Sequence, residues 1–140
     1  MPLYESGTSN ASAMRGYQQN IPEVEFGRKV ISSIERKDIQ AYTSTLTWDE
    51  ISYVVEKLLG RSDAIEIGRK FMNYPGLRFI PVDKDIMRRS QMIREKYNLK
   101  PRGSIHPSSA TGRGIRKIIT GDRDFDNLKE IERIGLNDLL

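Results

Sequence analysis

The stretch Leu77–Tyr97, LRFIPVDKDIMRRSQMIREKY, changes its period partway along. LRFIPV reads as a strand, and the residues from Asp83 to Tyr97 read as a helix that turns Ile86, Ile93 and Tyr97 inward. Before it, Tyr74-Pro75-Gly76 supplies a turn, and Ser62 opens a helix with Ala64, Gly68 and Phe71 on one face. That helix follows Gly60, which closes another, capped by Thr47 and carrying the stripe Ile51, Val54, Val55, Leu58 and Leu59. IQAYTS, ending at Ser44, is a short strand ahead of it. Further back, Phe26, Val30, Ile31 and Ile34 recur at helical spacing after Ile21-Pro22, where the proline suits a first helical turn. On the other side, RKIIT reads as a buried strand and IERI, ending at Ile134, as a short edge strand. Strands separated by helices predict an α/β chain with a mainly parallel sheet covered on both faces.

No internal repeat or linker divides the sequence, and 140 residues suit a single domain over 1–140. No apolar run approaches the roughly 20 residues that span a bilayer, and no basic-then-apolar leader opens the chain. No membrane is expected, and the cytoplasm is the expected location. The chain has no cysteine, which excludes disulfides and thiolate metal sites. A net charge of +4 suits a polyanionic partner or plain solubility.

Parallel sheets put their chemistry at the carboxyl ends of the strands. Asp122 and Asp124 follow RKIIT directly, and Glu50 stands in the first turn of the helix after IQAYTS. Each also has a plainer reading: Glu50 compensates a helix dipole, and the aspartates belong to a loop of turn formers. A calcium loop fails, because Asn127 replaces its glycine and Arg133 occupies the place of its bidentate glutamate.

Three ordered segments, TSTLTWDEI, LRFIPVDKDIMRRSQMIREKYNLKPRGSIH and IRKIITGDRDFDNLKEIERI, resemble the PIN-domain family, in particular the small single-domain toxins of toxin-antitoxin pairs. The resemblance extends from Ala13 onward. It implies a three-layer α/β/α fold and a magnesium- or manganese-dependent endoribonuclease. Magnesium prefers oxygen ligands, and gathered carboxylates hold ions that activate a water and neutralise charge developing on the phosphate. On the matching positions, Glu50, Asp122 and Asp124 are the implied catalytic and metal-binding residues. Thr120 matches a small hydroxyl residue that precedes the aspartates, and His106 reads as a packing residue that hydrogen-bonds its neighbours. RNA, an antitoxin-like protein and a second copy in a homodimer are the implied partners.

Two of the family's usual aspartates are absent. An ungapped alignment through Ala13–Gly16 puts Ser6 at one position, and Gly103 stands at the other. The helix expected after LKPR is here GSIHPSSATGRG, in which Pro107 would cost about 3 kcal/mol and Gly112 and Gly114 about 1 kcal/mol each relative to alanine. Ile105 is almost its only expected core residue. The first strand is thinned as well, since ESGTSNAS offers no large apolar side chain. Both segments adjoin the implied metal site, so the expectation is an attenuated or inactive enzyme. The alternative is a non-catalytic module that binds RNA or an antitoxin-like protein. Arg102, Arg113, Arg116 and Arg123 are the candidate RNA contacts, with a solvated basic face as the plainer reading.

Overall fold

The computed structural model describes residues 3–6, 32, 35–37 and 39–135. Its strands β1 (Leu3–Ser6), β2 (Gln40–Ser44), β3 (Leu77–Ile80), β4 (Lys117–Ile119) and β5 (Glu132–Ile134) form one sheet in the order β3-β2-β1-β4-β5. β2 pairs with β3 and β4 with β5 in parallel, whereas β1 runs antiparallel to both β2 and β4. The sheet is therefore mixed, with four strands in one direction and the central one reversed. The expected helix around Phe26, Val30, Ile31 and Ile34 lies outside the described residues.

Side chains alternate across each strand, and the two faces make two cores. Leu3, Ile39, Ala41, Leu77 and Ile119 pack on one face, against Phe71 and Tyr74. Tyr4, Ile80, Ile118, Phe125 and Leu128 pack on the other, with Tyr42, Ile93 and Tyr97 at its margin. Burying each large apolar side chain contributes about 1.5–3 kcal/mol. The helices α1 (Leu46–Leu59), α2 (Arg61–Met72), α3 (Lys84–Lys96) and α4 (Pro101–Thr111) complete a three-layer α/β/α arrangement.

The alternation read around LRFIPV holds. Asp83 caps α3, its Oδ1 accepting from Ile86 N at 2.9 Å, and Gly76 makes the turn into β3 with φ 83°. Gly68 lets α2 approach α1, since a Cβ there would lie 3.0 Å from Trp48 Nε1.

Four expectations are corrected. The first concerns the cap of α1, which is Thr45. Thr47 is buried inside the first turn, its Oγ1 at 2.7 Å from Thr43 Oγ1. The second concerns the stripe on α1, which is not a core stripe: Val54, Leu58 and Leu59 are exposed, Leu58 to 73%.

The third concerns the first strand, which is formed by Leu3 and Tyr4, upstream of the glycine- and serine-rich run, and both are buried. Leu3 and Tyr4 are the large apolar pair nearest that run, and burial selects them over it.

The fourth concerns the weakened helix, which forms as α4 with Pro107 in its interior and buried. Ile105 is only half-buried, while Ser104, His106, Ser108, Ser109 and Ala110 are buried. Small residues let the helix backbone lie close to its neighbours, and the hydroxyls of Ser104, Ser108 and Thr111 bond back to the helix itself. Ser108 Oγ donates to Ser104 O at 2.7 Å, Thr111 Oγ1 to Pro107 O at 2.9 Å, and Ser104 Oγ to Pro101 O at 2.6 Å. Burying a hydroxyl is tolerable when it is paired in this way.

Candidate functional site

The junction of β2 and α1 is built from hydroxyl residues, and it sets where Glu50 stands. Ser44 Oγ accepts from Leu46 N at 3.0 Å, and Thr45 Oγ1 accepts from Val82 N at 3.1 Å, which ties this junction to the one after β3. Glu50 follows on the first turns of α1, half-buried. From the α4 side, His106 approaches it, with Nε2 2.7 Å from Glu50 Oε1. The other ring nitrogen, Nδ1, lies 2.6 Å from the Tyr4 hydroxyl. The two rings meet edge-on, with centroids 6.0 Å apart. Tyr4 is 0% and His106 3% exposed, so their polar atoms must find partners within the protein.

Electrostatics follow the geometry. Burial pushes the Tyr4 phenol well above its ordinary range, only partly offset by the Ser109 and Ser44 hydroxyls beside it. It is therefore a neutral hydroxyl at any ordinary pH. Burial also works against the Glu50 carboxylate, but the hydrogen bond from His106, the charge that imidazole can carry and the Arg102 guanidinium outweigh it, and the pKa is lowered. Arg102, on the first turn of α4, lies 3.6 Å from Asp49 beside this site.

Asp122 and Asp124 emerge from the carboxyl end of β4, as the sequence implied. Asp122 caps the short 3-10 helix Arg123–Asn127, with Oδ1 accepting from Asp124 N at 2.9 Å, and its own N donates to Thr120 Oγ1 at 3.2 Å. Asp126 is bound instead to Arg133, Nε to Oδ1 at 2.6 Å.

Gly103 presents no side chain, and a Cβ there would meet no atom within 4 Å. Ser6 is correctly placed on β1, but the strand's reversed direction pairs it with Gln40, the first residue of β2. That is the amino end of the parallel strands, away from Glu50, so Ser6 is not the vacated position that the ungapped alignment suggested.

The described residues do not gather their carboxylates into a ready-made metal site. Among the described residues no group of three or more histidine, aspartate or glutamate side chains is placed to hold an ion. One oxygen of Glu50 is engaged by His106, and one of Asp122 by a backbone N–H.

The candidate RNA contacts stand on different elements of the fold. Arg102 adjoins Glu50, Arg123 follows the carboxyl end of β4, and Arg116 precedes the amino end of that strand. Arg113 lines a separate cleft of about 760 Å³ between α3 and the end of α4, together with Arg88, Arg89 and Lys96.

Tyr4 is the site residue that the sequence did not reveal. Its one signal is position, since Leu3-Tyr4 stands directly ahead of a stretch without large apolar residues.

No described helix is long and apolar enough to cross a membrane. The PIN domain family matches residues 22–131 of the chain. Among solved structures, the chain is similar to one described as a toxin-antitoxin complex from Klebsiella pneumoniae, with 24% identity, a TM-score of 0.49, and coverage of 64% of this chain and 69% of that chain. No curated protein matches it.

Proposed function

Because the chain belongs to the PIN domain family, we propose that it is a toxin-type PIN domain of the cytoplasm in which hydrolysis of RNA phosphodiesters is attenuated or lost. PIN domains generally depend on a divalent metal. On this reading Glu50, Asp122 and Asp124 are what remains of the carboxylate set that would hold magnesium or manganese and act on RNA. The observation that carries this reading is the setting of Glu50: its Oε1 is engaged by His106, and Gly103, on the same helix, supplies no carboxylate. Fewer anionic oxygens hold a hard cation less well.

The test is RNA cleavage by the purified protein in magnesium and in manganese, beside Asp122→Asn and Gly103→Asp. Cleavage by Gly103→Asp alone supports the reading. Metal-dependent cleavage by the unmodified protein that Asp122→Asn abolishes and that Gly103→Asp does not accelerate overturns it.

A second reading, a non-catalytic module that binds an antitoxin-like protein or a second copy of itself, is favoured by a separate observation. Tyr53, Val54, Leu58, Leu59, Ile65 and Met72 are all exposed on the paired helices α1 and α2. Contiguous exposed apolar surface of this kind marks protein-binding sites.

A further inference from the structure

We propose that Tyr4 and His106 are positioning residues that take the place of a cation as the partner of Glu50, holding its carboxylate through an internal hydrogen-bond chain. The proposal rests on the reading of a lost or attenuated metal centre and says what replaced it. Three elements meet in this chain, β1 through Tyr4, α4 through His106 and α1 through Glu50, at 2.6 and 2.7 Å.

The donors can be assigned from the chemistry of the groups. An ionised carboxylate only accepts, so the proton on His106 that faces Glu50 is on Nε2. In the neutral ring Nδ1 is then an acceptor, and the Tyr4 hydroxyl, kept protonated by burial, donates to it. Both ring nitrogens are thereby satisfied at a position only 3% exposed. The hydrogen bond to the carboxylate is charge-assisted and belongs to the strong kind.

The reversed first strand makes this possible. Tyr4 stands opposite Tyr42 on one side and Ile118 on the other, in the core that faces α4, whereas Leu3 points to the opposite core. A metal would need further anionic oxygens around Glu50. The neighbouring groups are instead the His106 imidazole at 2.7 Å and, further out, the Arg102 guanidinium beside Asp49.

The chain contains one histidine, so a long-range ¹H–¹⁵N spectrum of the full-length protein reports His106 alone. The expected result is a protonated Nε2. Tyr4→Phe, which keeps the ring and removes the donor, is expected to shift the Nδ1 resonance. Should Tyr4→Phe fail to fold, Glu50→Gln serves in its place, and the Nε2 proton is expected to move upfield as the charge-assisted bond is lost. Added manganese is expected to leave the His106 ring signals sharp.

An unprotonated Nε2, ring resonances unmoved by the variants, or saturable manganese broadening at His106 that Glu50→Gln removes would each overturn the proposal. RNA cleavage by the unmodified protein as fast as by Gly103→Asp, with His106 resonances as expected, would sink the reading of attenuation and leave the hydrogen-bond chain standing.

Discussion

Glu50 and His106 lie 56 residues apart in sequence, on helices α1 and α4, and meet at 2.7 Å between Oε1 and Nε2. The contact places a helix of small residues against a carboxylate just past the end of β2. A helix with few large apolar side chains is held by close packing and by polar links, His106 to Glu50 and Tyr4 and Arg102 to Asp49.

Gly103→Asp should fold and be more stable than the parent. Gly103 occupies the third helical position of α4 after the cap Lys100, with open space at its Cβ. Removing a helical glycine and adding a negative charge to the first turn together should add about 1 kcal/mol, read from chemical denaturation. The same variant is the one expected to gain metal-dependent RNA cleavage.

Ser109→Leu should destabilise the protein by about 1–3 kcal/mol through overpacking. Ser109 is fully buried in α4, beside the Tyr4 phenol, and the helix owes its close approach to residues of that size. Thermal unfolding followed by circular dichroism measures the loss, and an unchanged midpoint would contradict this account of α4.

Leu58→Glu should change stability by less than about 0.5 kcal/mol, because Leu58 is 73% exposed. It should, however, lower concentration-dependent association in light scattering. Association equal to the parent's would remove the exposed α1 stripe as the interface.

The link between α3 and the segment before β5 should weaken in acid. Burial works against the Glu130 carboxylate, but hydrogen bonds from Lys96, at 2.9 Å, and from Tyr97, at 3.3 Å, outweigh it and lower its pKa. A lowered folded pKa means the stabilisation is present above the ordinary value of 4.5 and is lost as pH falls through the folded value. The difference in melting temperature between the parent and Glu130→Gln should therefore be largest at neutral pH and shrink below pH 4.5. A difference that grows in acid would contradict the sign.

Much of the fold was legible because it rests on local signals. Alternation in IQAYTS and LRFIPV, helical spacing at Ile86, Ile93 and Tyr97, and the turn at Tyr74-Pro75-Gly76 act over a few residues, and the chain carries them wherever it lies. Glu50 and Asp122 were legible in the same way, as acidic residues just past the ends of strands.

The remaining features depend on partners distant in sequence. Helix propensity alone counts Pro107 and the serines against α4, yet burial and hydroxyl bonds back to the helix carry it. An amphipathic stripe states that α1 has an apolar face, and only the positions of the other layers decide that Val54, Leu58 and Leu59 are left exposed. Strand direction is likewise absent from a four-residue segment such as LYES, because a strand accepts either direction and the neighbouring strands choose.

The sequence by itself determined the order of strands and helices and the acidic residues at their ends, since periodicity and turn chemistry are local. The tertiary structure decided that β1 is reversed, that Tyr4 reaches His106, and that His106 holds Glu50, because each of these is a contact between chain segments that only folding brings together.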